Sequence, residues 1–474
     1  MMADLWRNDT TALSNLLVTG AVTSETLLSH YLDRIERLDA AVNAVIHLDP
    51  AARTAARASD TRRREGATLG PLDGVPMLLK DNLLAAGMPA TWGSPMFAGH
   101  VPDRDEIPVE RLRRAGVVLM GKTNVPEFTI DGVTDNPLFG VTGNPWAPDL
   151  TPGGSSGGSV AAVALGMTPF SVGTDGGGSV RRPASYANLV GLKTSIGRIP
   201  RGHGLPQLLL DMETIGPITR SLRDQALLLD VLAGADPRDH RSLRFAPPDF
   251  RARLHVPPPA LRILAVEQIG NAPVDPEIRV GFRRIVDLLA DLGHAVTRGE
   301  LPFDIAPIYD RWADIADIAL GLMLRRNPDM AENASPRYVD RARRTIAAAD
   351  LLEILEAMAA LRDAAAMAFD SLDVILTPTS AALPWQTGVP FPPEIDGVPV
   401  GPRGAAVFSG WVNACGHPAI SAPAPRMPGD LPIGVQFAAD MGQDSLLLRL
   451  ARQVEQTIDW RGDWPPLAQE ATTA

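Results

Sequence analysis

Apolar positions along the chain fall into two kinds of pattern. In residues 24–38, SETLLSHYLDRIERL, Leu27, Leu28, Tyr31, Leu32, Ile35 and Leu38 recur at three- and four-residue intervals behind Ser24, a residue type that caps helix starts. That spacing predicts an amphipathic helix, and the alanines and arginines that follow continue the helical tendency to about Thr61. From Pro71 short apolar runs cut by Gly and Pro take over: GVPMLLK at 74–80, GVVLMGKT at 116–123 and TPFSVGT at 168–174. These read as buried strands, because a strand covered on both faces shows no alternation of apolar and polar residues. Helical stretches separate or follow them, SVAAVALGM at 159–167 and RSLRDQALLLDVLAG at 220–234. Residues 262–267 read as another strand, 276–292 and roughly 305–370 as helices, and LDVILTPT at 372–379 as a strand. The alternation predicts a layered α/β architecture in which the Ala-rich, strand-free stretch 300–370 is a helical insertion. No repeat of solenoid period is present, and low complexity is confined to the closing ATTA at 471–474.

Composition narrows the class. With 474 residues, 45% of them hydrophobic and 21% charged, the chain can bury a large core, and no linker-like break divides it, so a single domain over 1–474 is expected. The 42 Gly and 43 Pro follow no fixed period, which excludes a collagen-like chain and points to many special backbone positions. A net charge of −11 argues against nucleic acid or an anionic membrane as partner. Neither a basic stretch leading into an apolar one at the start nor an apolar run of ~18 residues is found, so the sequence predicts no signal peptide, no membrane span and a cytoplasmic location. The single cysteine, Cys415, excludes an internal disulfide framework and a Cys-rich zinc site. Within the apolar run WVNACGHPAI it reads as a core thiol rather than a nucleophile.

The densest Gly/Ser segment, TPGGSSGGSVAAVALGMTPFSVGTDGGGSVRRPAS at 151–185, interleaves its glycines with apolar runs that must be buried, unlike a flexible linker. It contains neither a P-loop nor a dinucleotide-binding pattern. Gly153-Gly154-Ser155-Ser156-Gly157 matches the G-x-S-x-G nucleophile elbow, with His294 and His417 downstream as possible bases. That elbow needs a strand directly before it, and Pro145, Pro148 and Pro152 deny it one. A second serine, Ser179, follows three glycines in GTDGGGSV. Consecutive glycines let several N–H groups point into one concavity, so Gly176, Gly177, Gly178 and Ser179 are candidates for an oxyanion hole. A serine nucleophile needs a base, and no histidine stands near either serine in sequence. Lys80 closes an apolar run, and a buried lysine loses its charge readily enough to accept a proton near neutral pH.

Together these blocks resemble the amidase signature family. Gly74-Val75-Pro76 leads to Lys80-Asp81-Asn82, followed by the glycine run 153–158, Gly173-Thr174-Asp175 through Gly178-Ser179-Val180-Arg181, Pro183-Ala184 and Gly191-Leu192-Lys193. Segments at 121–128, 144–146, 416–419 and 431–436 extend the likeness over about residues 25–455, with 240–400 lacking recognisable blocks. The resemblance implies a large mixed twisted β-sheet covered by helices on both faces. In that frame 1–62 would be N-terminal helices, 70–235 the catalytic core, 300–370 the insertion near the pocket entrance and 371–465 the rest of the core. It also implies a Ser-Ser-Lys triad, with Ser179 as nucleophile, Ser155 as bridging serine after a cis peptide bond, and Lys80 as base. Gly176, Gly177 and Gly178 fall on the oxyanion stretch, and Ser156, Asp175 and Arg181 on supporting positions. The implied activity is hydrolysis of small-molecule or aryl amides through an acyl-enzyme, with esters and carbamates (urethanes) sharing the same oxyanion chemistry. No metal or organic cofactor is implied, and a monomer or homodimer is expected. A glutamine amidase subunit of a tRNA-dependent amidotransferase and a non-catalytic binding protein on the same fold stand as alternatives. Departures from the family pattern at Gly176, 193–195 and 423–425 leave pocket shape open. Trp312, Ile315, Ile318, Leu320, Leu322 and Met323 are candidates for its wall, although core packing would give the same spacing.

Overall fold

The computed structural model describes residues 4–427 and 429–470, so the ATTA end lies outside the described residues. Eleven strands form one sheet: β1 Val45–Leu48, β2 Pro76–Lys80, β3 Val118–Thr123, β4 Ser171–Asp175, β5 Val190–Lys193, β6 Thr214–Thr219, β7 Arg262–Ala265, β8 Ala295–Arg298, β9 Val374–Pro378, β10 Ala419–Pro423 and β11 Gly434–Ala439. Their order is β1-β3-β2-β4-β6-β5-β10-β11-β9-β7-β8. β2 runs parallel to β3 and β4, and β7 parallel to β8 and β9, whereas the remaining neighbours are antiparallel. The mixed sheet is flanked by helices, as expected. β2, β3 and β4 are buried at every position, which is why their sequences show apolar runs.

Two features differ from the sequence reading. Residues 1–62 are not helical throughout. The helix Ser24–Leu38 gives way to a short turn, and edge strand β1 forms before the helix Ala52–Arg64. The Asp39 carboxylate accepts from the N–H groups of Ala44 (2.8 Å) and Val45 (3.0 Å), which draws the chain out of the helix and leaves Val-Ile-His-Leu to pair with β3. Strands β5, β6, β8, β10 and β11 are the second difference, since apolar periodicity alone does not single them out. β6, Thr-Ile-Gly-Pro-Ile-Thr, carries Gly216 and Pro217 inside a central strand, where local signals indicate a loop.

The stretch 300–370 is strand-free, with helices Ala306–Tyr309, Trp312–Arg326, Pro328–Ala331, Pro336–Ala342 and Ala348–Phe369. One side of it packs Trp312, Ile315, Ile354 and Met358 with Ile375 and Trp411. Its other side packs Leu320, Met323 and Tyr338 against Trp92 and Phe128 from the first third of the chain. The insertion therefore leans over the loops that follow β2 and β3. No helix among the described residues is long and apolar enough to cross a membrane.

Candidate active site

Parallel pairing of β2 with β4 aligns Leu78 with Ser171 and Leu79 with Val172, so the ends of both strands arrive together. Lys80 ends β2, fully buried. Its Nζ donates to Ser155 Oγ (2.8 Å), Thr174 Oγ1 (3.0 Å) and Thr174 O (3.2 Å). Burial pushes its ammonium down to about 7, against the opposing pull of Glu213 and Asp175. Ser155 is itself buried, and the Gly154–Ser155 peptide is cis. A Cβ on Gly154 would lie 2.5 Å from the Val133 carbonyl oxygen, so this backbone approach admits only glycine. No strand precedes Ser155 and a helix, Gly157–Ala164, follows, so the elbow context is absent. His294 accepts from the Leu261 N–H (3.1 Å) and His417 pairs with the Ala439 carbonyl (3.2 Å), which occupies both elsewhere.

Ser179 lies in the turn between β4 and the helix Arg181–Tyr186 and is only partly buried. The Ser156 N–H donates to the Ser179 carbonyl (3.2 Å), tying the two serine loops together. Ser156 Oγ is buried without a partner among the described residues. No hydrogen bond joins the Ser155 and Ser179 hydroxyls among the described residues. The structure thus brings Lys80 and Ser155 into direct contact and sets Ser179 beside them through the backbone.

Asp175 organises the turn. Its carboxylate accepts from the N–H groups of Gly178 (2.8 Å), Val180 (3.1 Å) and Arg181 (3.3 Å), from Arg181 Nε (3.0 Å) and Nη2 (2.8 Å), and from Asn413 Nδ2 (3.0 Å). Burial alone would raise this carboxyl, but the Arg181 guanidinium and the converging donors hold it far below the usual carboxylate range. One expectation is corrected here. The Gly178 N–H is spent on Asp175, so Gly178 shapes the loop instead of facing an oxyanion. The N–H groups of Gly176, Gly177 and Ser179 have no acceptor among the described residues.

A cavity of about 440 Å³ borders this turn. Cβ atoms placed on Gly176, Gly177 and Gly178 would meet Leu209 (2.7 Å), Trp312 (3.0 Å) and Arg182 Nε (3.0 Å), all three of them cavity-lining residues. Trp92, Phe128 and Tyr338 supply more of its wall, with Phe128 edge-on to both Trp92 and Tyr338. Of the six apolar residues proposed from the insertion, only Trp312 lines the cavity. Ile315 is buried in one core, Leu320 and Met323 in another, and Leu322 is exposed; Ala313 and Ala316 face the cavity instead. Sequence reasoning gave no role to Thr174, which bonds both Lys80 and Asn82 Nδ2 (3.1 Å), nor to Asn413. Thr174 was findable, since it neighbours Asp175 on the strand beside Lys80; Asn413, 238 residues from Asp175, carried no local signal. Cys415 is buried, and burial pushes its thiol up to about 12, the behaviour of a core thiol.

A family model described as Amidase matches residues 26–448. Among similar curated proteins are two glutamyl-tRNA(Gln) amidotransferase subunits A. That of Moorella thermoacetica is 34% identical over 96% of this chain and 97% of that protein. That of Synechococcus sp. is 35% identical over 94% and 96%. Among similar solved structures, a 6-aminohexanoate cyclic dimer hydrolase complexed with substrate superposes with a TM-score of 0.88 at 29% identity, covering 98% of this chain and 100% of that one. A bacterial aryl acylamidase gives a TM-score of 0.89 at 26% identity, covering 98% and 99%.

Proposed function

The chain belongs to the amidase family, and from that premise we propose that it hydrolyses the C–N bond of small-molecule or aryl amides, with esters and carbamates (urethanes) as further substrates. The observation that carries the reading is Lys80, fully buried, with an ammonium lowered to about 7 and bonded to Ser155 beside the Ser179 turn. Neutral Lys80 takes the Ser155 proton as Ser155 takes that of Ser179, and Ser179 Oγ attacks the carbonyl carbon. The substrate closes the remaining gap between the two hydroxyls, since such contacts tighten when the reacting complex forms. The oxyanion is met by the free N–H groups of Gly176, Gly177 and Ser179. The relayed proton returns to the leaving nitrogen, the C–N bond breaks, and water attacking the Ser179 ester releases the acid. Ser156, Asp175 and Arg181 hold the loops. Nothing in this sequence of steps calls for a cofactor, a nucleic acid or a second subunit.

The relatives named as amidotransferase subunits support a second reading, a glutamine amidase working within a larger assembly. The aromatic walls of the cavity favour the first, because Trp92, Phe128, Trp312 and Tyr338 present flat apolar faces that match an aryl group. Purified chain alone, assayed against 4-nitroanilides, aryl esters, aryl carbamates and glutamine, separates them. Turnover of anilides with a fluorophosphonate adduct on Ser179 is expected. Turnover of glutamine alone would overturn the first reading, and an adduct on Ser155 would overturn the roles of the two serines.

A further inference from the structure

We propose that Arg182 and Arg403 form a carboxylate subsite in the cavity, so that the preferred amides carry a negative charge away from the scissile bond. The inference rests on the reading of the cavity as the substrate pocket. Arg182, in the helix Arg181–Tyr186, is 6% exposed and lines the cavity. Its guanidinium lies between Gly132 and Gly178, 3.0–3.2 Å from where their Cβ atoms would stand. It makes one long hydrogen bond, Nη2 to the Gly154 carbonyl (3.4 Å), and its buried Nε has no partner among the described residues. Arg403 lies across the Trp312 ring, 4.1 Å from its centroid, and 5.0 Å from that of Tyr309. Its Nε and Nη2 are likewise buried without partners among the described residues.

The pairing of charges around the cavity sets these two apart. Arg337 is neutralised by Asp131 and Arg341 by Asp317, while Glu213 is held by Arg201. Neither Arg182 nor Arg403 makes an ion pair with any described carboxylate. An unpaired buried guanidinium is unfavourable, and two on one cavity more so. Burial lowers Arg403, and the nearby charge of Arg182 adds to it. Guanidinium donors in this number, fixed from behind by an aromatic face and by glycine backbone, suit the flat, two-oxygen geometry of a carboxylate.

Two substrate pairs test the idea from either side of the scissile bond: glutaric acid mono-4-nitroanilide against 5-methylhexanoic 4-nitroanilide, and N-butyryl-4-aminobenzoate against N-butyryl-4-isopropylaniline. In at least one pair the charged member should show kcat/KM tenfold or more above its neutral counterpart. Arg182→Gln and Arg403→Gln should each lower that ratio at least fivefold, mostly through KM. A folding defect would depress both members alike, so a ratio unchanged in the variants overturns the subsite, as does a wild-type ratio of one or less in both pairs. Should no amide turn over, the proposed activity fails separately, and calorimetric titration of the protein with the same four compounds decides: tenfold tighter binding of a charged member sustains the subsite, and equal binding overturns it.

Discussion

At the scale of single residues, the proposed chemistry turns on the protonation of Lys80. A base must be neutral to act, and burial has already brought its ammonium to about 7. As pH falls below that value Lys80 takes up a proton, and the competent fraction drops tenfold per pH unit. A kcat/KM profile that climbs with pH and levels off just above 7 is therefore expected, while an acid limb flat down to pH 5 would remove Lys80 from the role. Ser179→Ala and Lys80→Ala should each reduce kcat/KM about a thousandfold or more, because relay groups act as a unit. Fluorescence-detected melting would establish that the variants remain folded. A fully active Ser179→Ala protein would sink the mechanism.

Among elements, the turn from β4 into the helix Arg181–Tyr186 decides, in the proposed mechanism, how the oxyanion is met. Gly178 sits at φ +110°, and a Cβ there would crowd the Ser409 hydroxyl, so Gly178→Ala cannot keep this backbone. At Gly176 the nearest atom to an added Cβ is the flexible end of Leu209, and φ is not left-handed. Gly178→Ala should lower kcat about a hundredfold or more, the size of one lost oxyanion donor, because a displaced turn no longer aims the Gly176, Gly177 and Ser179 N–H groups together. Gly176→Ala should stay within a few fold; equal kcat losses in steady-state assays would refute this division of labour. The turn and its serines were legible in sequence because they occupy short contiguous motifs. Lys80 joined them because a lysine that ends a buried strand is costly to desolvate, and a proton-accepting role is one that burial favours. Of the cavity wall only Trp312 was legible. Trp92, Phe128, Trp312 and Tyr338 come from separate segments, and apolar spacing on the Trp312–Arg326 helix is the same whether a side chain fills a core or faces a cavity. Gly178 misled for a related reason: which N–H is spent on Asp175 depends on the path of the folded backbone, not on the count of glycines.

For the molecule as a whole, Lys80 is one of three fully buried lysines. Lys122 donates to the Asp81 (2.9 Å) and Leu83 (2.6 Å) carbonyls, and Lys193 to those of Thr194 (3.1 Å) and His417 (2.6 Å). Burial lowers Lys122 to about 8 and Lys193 to about 7. In the unfolded chain each returns to about 10.4. Between pH 7 and 10 the unfolded state thus binds more protons than the folded one, so these groups make stability rise with pH. Opposing groups act mainly at the edges of that window. Burial and Asp9 raise Asp224 to about 7, so its loss of stability runs out within about one pH unit above 7, and Cys415, raised to about 12, begins to oppose only near pH 9. The thermal midpoint should therefore rise from pH 7 to 9, and Lys193→Met should flatten the slope; a midpoint that falls over this range would contradict the buried-lysine account. Lys80 carries the same penalty as the other two. Lys80→Met should accordingly flatten the slope as Lys193→Met does while abolishing turnover, an outcome that would place the proposed base among the groups this fold retains at the expense of stability.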